Sequence, residues 1–99
     1  MRVAILFKSS EKNETETLFL EANLDESNLS ISGQATKNEL DKLRKLWEEN
    51  IIINIVTTYK NHQRCLIQTL NISQFKPGLD LYSFDVSILK FEIIKKKND

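Results

Sequence analysis

The sequence predicts a mainly β domain of the α+β class, a small antiparallel barrel or curled sheet in the order β-β-β-α-β-β-β with one amphipathic helix. Three observations predict it. Short apolar and alternating stretches separated by polar links lie on both sides of a single segment of helical period, about residues 36–49. Directly after that segment, Ile51 to Thr57 carries Ile51, Ile53 and Ile55 on one face and Ile52 and Val56 on the other, with only Asn54 interrupting, as a strand covered on both sides does. The last apolar stretch, Leu81 to Ile93, would reach roughly 43 Å if straight, against a diameter of roughly 33 Å for a compact domain of this length.

The elements follow in order. Arg2 to Lys8, RVAILFK, is a short β-branched and apolar strand that ends at the polar Ser9–Glu14 turn. Thr15 to Ala22 is a second strand, with Leu18, Leu20 and Ala22 on one face and Phe19 on the other. Asn23 to Asn28, rich in acids and Asn, turns the chain into a third strand in which Leu29, Ile31 and Gly33 alternate with Ser30 and Ser32. Gly33 is expected to turn the strand end into the helix. Thr36 and Glu39 have the spacing of a capping box. Leu40, Leu43, Leu46 and Trp47 form one apolar stripe, and Asn50 ends the helix because it tolerates the left-handed conformation.

After the Ile51–Thr57 strand, Thr58 to Gln63 reads as a hairpin connection to a strand from Arg64 to about Ser73. In the last strand Tyr82, Phe84, Val86 and Ile88 share one face, and Leu89, Phe91 and Ile93 continue the apolar series in the opposite parity. A β-bulge or sharp bend between Ile88 and Leu89 would account for the change of side. Residues 1–94 are expected to form one domain, and 95–99, KKKND, a solvated charged tail.

Composition narrows the chemistry. Fourteen Lys plus Arg balance fourteen Asp plus Glu in 99 residues, so no overall field draws in nucleic acid or an anionic membrane. The longest apolar run is far short of the ~20 residues a membrane helix requires. Cys65 is the only cysteine, and no leader-like segment opens the sequence, which points to a reducing compartment; the Asn-x-Ser/Thr matches at Asn13, Asn28 and Asn71 are then chance matches.

Cys65 and His62 are the only pair with nucleophile chemistry, weighed here against a half-buried cysteine beside an exposed histidine. One His and one Cys give no transition-metal set, and Glu21, Asp25 and Glu26 lack the spacing of a calcium loop. The two glycines, Gly33 and Gly78, are too far apart to cradle a phosphate. No catalytic, cofactor-binding or metal residue is therefore assigned, and no cofactor is expected.

Oligonucleotide-binding barrels also place a helix between their third and fourth strands, and they bind through aromatic and basic side chains. Tyr59 and Phe75, with Lys60, Arg64 and Lys76 nearby, are the residues such a reading would use. The helix carries Lys37 in its first turn and Glu48 and Glu49 in its last, against the macrodipole, and those two acids are candidates to meet a basic partner surface.

LSISGQ, LDKLRKL, IIINIVTTYKNHQ, CLIQTLNI, a Pro-Gly turn and YSFDVSILKFEII occur in this order. From about Leu29 to Ile93 the chain thereby resembles phage distal-tail and baseplate-hub proteins, whose helix-bearing barrels form rings between tail tube and baseplate. The resemblance implies a virion structural protein, made in the host cytoplasm, that forms a homo-oligomeric ring and docks to tail-tube or hub proteins without catalysis. The loops Thr58–Gln63 and Gln74–Asp80 and the last strand are its expected contact surfaces. Candidate interface residues are Glu48, Glu49, Tyr59, Lys60, Phe75, Lys76, Leu89 and Phe91. A nucleic-acid-binding barrel and a small enzyme using Cys65 are the alternatives; a membrane is not an expected partner.

Overall fold

A computed structural model describes residues 2–9, 13–74 and 78–91. Phe75, Lys76, Ile93 and the 95–99 tail lie outside the described residues. The strands are β1 (Arg2–Lys8), β2 (Thr15–Asp25), β3 (Ser30–Ala35), β4 (Ile53–Val56), β5 (Asn61–Gln74) and β6 (Tyr82–Lys90), with helix α1 (Lys37–Glu48) between β3 and β4. They close into an antiparallel barrel in the order β1-β2-β3-β6-β5-β4, in which β1 returns to β4 through pairs from Ala4↔Val56 to Phe7↔Ile53. Two three-stranded meanders are thus joined first strand to first and last to last, and the sheet that the sequence left open between curled and closed is closed.

Alternation sets the core. Val3 and Ile5 of β1, Leu18, Leu20 and Ala22 of β2, Ile31 and Ala35 of β3, Ile53 and Ile55 of β4, and Phe84, Val86 and Ile88 of β6 all point inward. β2 is three residues longer than expected, because Asn23 to Asp25 still pair with β3 before the turn. Asp25 Oδ1 builds that turn by accepting the amide of Ser27 at 3.0 Å and its hydroxyl at 2.7 Å. Leu29 closes it with φ 51°, and its carbonyl accepts the amide of Ile88.

The capping box forms as expected: Thr36 Oγ1 accepts the Glu39 amide, and Glu39 Oε1 accepts the Thr36 amide at 2.9 Å. Asp80 adds a second carboxylate at this end, accepting the Lys37 amide at 3.0 Å, so the positive helix terminus is met despite the Lys37 side chain. Leu40, Leu43 and Leu46 are buried in the barrel core, each contributing about 1.5–3 kcal/mol. Asn50, φ 52°, ends the segment as its side chain predicts.

Several expectations are corrected. Gly33 does not turn the chain into the helix; it lies within β3, where an added Cβ would fall 2.7 Å from the Ala22 Cα and closer still to the Glu21 carbonyl oxygen. Its role is clearance between β2 and β3. The β4 segment is not covered on both sides, since Ile52 is 59% exposed and Val56 half-buried. The hairpin connection is shorter than expected: Thr57 and Lys60 close it with a backbone bond of 2.8 Å, and β5 already begins at Asn61. Finally, β6 does not change face at Ile88. Leu89 and Phe91 simply point outward, and the irregularities lie in β5.

There are two of them. Between Ile53↔Cys65 and Ile55↔His62, β5 uses three steps where β4 uses two, and Arg64 takes φ 58°. Between Ile67↔Ile88 and Thr69↔Ser87, Gln68 is the extra residue. Each extra residue re-aims the strand, so inward positions run His62, Cys65, Ile67, Leu70 instead of every second residue. Both bulges are capped by side chains: Asn54 Oδ1 accepts the Arg64 amide at 3.1 Å, and Trp47 Nε1 donates to the Gln68 carbonyl at 3.1 Å. Beyond Cys65, β5 has no described strand on its β4 side, and the helix lies there, with Leu40 and Arg44 near Ile72. For that reason Trp47 is only partly covered, 36% exposed, and not a full member of the buried stripe.

Candidate functional site

The one pair with nucleophile chemistry makes no thiol–imidazole hydrogen bond, since His62 Nε2 faces Glu26 and Nδ1 has no partner. Cys65 is fully buried, and its Sγ lies 3.8 Å from the backbone carbonyl of His62, not from the imidazole. Burial pushes the Cys65 thiol up, and Lys90, its register partner on β6, pulls it only part of the way back. A thiol held protonated is a poor nucleophile. Cys65 is thus more buried than the sequence suggested, and so is His62, whose side chain is 12% exposed.

His62 pairs in register with Ile55 and meets Glu26 of the β2–β3 turn, Nε2 to Oε2, at 2.9 Å. This contact sits at the barrel end opposite the helix, because α1 joins the other ends of β3 and β4. Nδ1 is buried without a hydrogen-bond partner, which fits the tautomer carrying its proton on Nε2. Among the described residues no group of three His, Cys, Asp or Glu side chains is placed to hold a metal ion, and no helix is long and apolar enough to cross a membrane.

A space of about 430 Å³ is lined by Arg2, Phe19, Leu20, Glu21, Gln34, Glu39 and Leu81. Of its polar groups, Arg2 pairs with Glu21 at 3.5 Å and sits 6.0 Å from the Phe19 ring centre, and Glu39 caps the helix.

The outer wall is more informative because it is divided. Across β2-β3-β6-β5 three rows of outward residues run Asp25–Ser30–Ser87–Thr69, Asn23–Ser32–Asp85–Asn71 and Glu21–Gln34–Ser83–Ser73. Every one is polar, three are carboxylates and none is cationic. Ser32 Oγ donates to Asp85 Oδ1 at 2.9 Å, and the hydroxyls of Thr69 and Ser87 bond to each other.

Across β2-β1-β4 the corresponding rows are Phe19–Ala4–Val56 and Thr17–Leu6–Asn54, with Ile52 beside Leu6 and Lys8 at one margin and Arg2 and Glu21 at the other. Phe19 is 55% exposed. This face was not singled out from sequence. Its signal was there, in Phe19 standing opposite the Leu18, Leu20 and Ala22 series and in the second apolar parity of Ile52 and Val56.

The candidate interface residues do not converge on one patch. Glu48 and Glu49 are exposed at the end of α1, before β4, whereas Tyr59, at 82% the most exposed large hydrophobic side chain among the described residues, and Lys60 lie in the turn after β4. Leu89 and Phe91 are exposed and neighbouring: Leu89 pairs with Leu66, and the Phe91 amide donates to the Arg64 carbonyl. No family model, curated protein or solved structure matches the chain.

Proposed function

We propose that the chain is a structural component of a phage-like tail or baseplate, acting by self-association into a ring and by docking to tail-tube or hub proteins. The observation that carries the reading is the divided exterior. A wall with Phe19 and Ile52 more than half exposed stands beside a wall of uncharged polar groups and carboxylates, and exposed apolar surface rimmed by polar residues suits contact with protein. Leu66, Leu89 and Phe91 supply a second apolar contact area, and the pattern from Leu29 to Ile93 supports the tail assignment in particular. In this reading the protein reaches the virion from the host cytoplasm and takes no cofactor.

Light scattering after size exclusion, run alone and with candidate tail proteins, tests it together with a titration on single-stranded DNA. Oligomers or stable co-elution with a tail-tube or hub protein are expected. A strict monomer without such co-elution, binding DNA with a steep salt dependence, would replace this reading with the nucleic-acid-binding barrel. Turnover abolished by Cys65→Ala would replace it with the enzyme.

A further inference from the structure

We infer that the contact between His62 and Glu26 is a strap across the barrel end opposite the helix, and that its release uncovers the buried Cys65 thiol without unfolding the barrel.

The two residues come from connections that share no strand pairing. Glu26 stands in the β2–β3 turn and His62 near the start of β5, and in the closed order β6 separates β3 from β5 on one side while β1 and β4 separate β2 from β5 on the other. Their side chains nevertheless meet at 2.9 Å. Beneath this contact the inward series of β5 runs His62 and then Cys65, and the register partners Ile55 and Ile53 place Cys65 one layer deeper. Cys65 has no exposed surface, and its Sγ lies 3.8 Å from the His62 carbonyl. The imidazole, with 12% of its side chain exposed, is the next inward layer between the thiol and solvent at this end.

The strap is weak and its anchors are firm. The Glu26 side chain is 44% exposed, and a single part-exposed pair shifts an equilibrium by only about two- to fivefold. Nδ1, buried and without a partner among the described residues, works against the closed position, because a ring turned outward hydrates it. By contrast, Asp25 holds Ser27 and Asn28, and the Leu29 carbonyl accepts the Ile88 amide, so the β2–β3 turn keeps its shape without Glu26. On the other side Thr57 and Lys60 close the β4–β5 turn. Release then asks for side-chain rotation at His62 and Glu26 and leaves the strand pairs in place, a local opening of lower cost than global unfolding.

Labelling of the native protein by an aromatic disulfide over a urea series tests it, with circular dichroism following global unfolding in the same series. The pH is held at about 8, where an exposed thiol is partly ionised. The Cys65 thiolate attacks the reagent and displaces its aromatic thiolate, which is read by absorbance. The wild-type chain is expected to label slowly, at a rate nearly flat in low urea, because a local opening exposes little surface. Glu26→Ala should label about two- to fivefold faster with the same flat dependence. Glu26→Gln keeps a side-chain acceptor and should fall between the two. Glu48→Ala, at the exposed end of α1, should match the wild type. Glu26→Ala labelling at the wild-type rate would overturn the strap. So would rates that rise with urea as steeply as global unfolding in every variant, since Cys65 would then be reached only in the unfolded chain.

Discussion

The side-chain carbonyl of Asn54 accepts the backbone amide of Arg64 at 3.1 Å, across the point where β5 carries one residue more than β4. This explains the single polar interruption in an otherwise apolar strand. A bulge leaves a ladder amide without its strand partner, and the shortest side chain with an amide carbonyl reaches it. Removing that acceptor by Asn54→Leu should cost about 1 kcal/mol, the net worth of such a bond. Arg64→Gly should act in the opposite direction, because Arg64 holds φ 58°, where a side chain is penalised by about 1–2 kcal/mol. Urea denaturation of the two variants checks both signs.

The second bulge is held from the helix. Trp47 keeps one edge toward solvent yet donates its indole N–H to the Gln68 carbonyl. Trp47→Phe preserves most of the apolar contact and removes the donor, so a loss of about 1 kcal/mol is expected. Thermal unfolding followed by far-ultraviolet circular dichroism measures it, since the only tryptophan is then absent. Trp47→Ala should cost more, as it also uncovers the β5 segment that lacks a strand neighbour.

Gly33 is required for space, not for turning. A methyl group there would press on the Glu21 carbonyl and on Ala22, and these are paired backbone that cannot swing aside. Gly33→Ala should therefore destabilise the barrel by about 1–3 kcal/mol or more. Gly78→Ala touches nothing within 4 Å but sits at φ 84°, so its smaller cost comes from the backbone alone. Comparing the two in one denaturation series separates packing from conformation.

The β2–β3 turn carries a pH signature. The Ser27 side chain, then the amides of Asn28 and Ser27, hold the Asp25 carboxyl below the usual carboxylate range. The folded state thus favours the ionised form. That contribution is complete above the unfolded value, ~3.9, and is lost as pH falls through the lower folded value. Asp25→Asn should be less stable than the parent at pH 7, with the difference closing in acid. Stability curves taken from pH 2 to 7 are the check.

Much of the fold was legible because it depends on neighbours in sequence. Period-two alternation placed β1 through β3, the Thr36–Glu39 spacing placed the helix start, and Asn50 placed its end. The candidate contact residues were less legible. Glu48, Glu49, Tyr59 and Lys60 are exposed, as local polarity implies, but convergence on one surface depends on where strands lie after closure, and the chain holds these pairs at opposite ends of β4. Leu89 and Phe91 misled the reading of β6 because outward apolar residues have the same parity signature as a bulge. The real bulges in β5 leave their mark in the spacing of His62, Cys65, Ile67 and Leu70.

Element types, their order and the apolar face of most strands could be read from the chain alone, because side-chain periodicity and capping are local physics. The closed barrel was needed to see that β1 pairs with β4, that Gly33 faces a backbone with no room for a Cβ, that Asn54 and Trp47 cap bulges, and that one outer wall exposes apolar side chains while the other is polar. Each of these arises where residues remote in sequence meet, and register across a closing barrel is fixed by all six strands together.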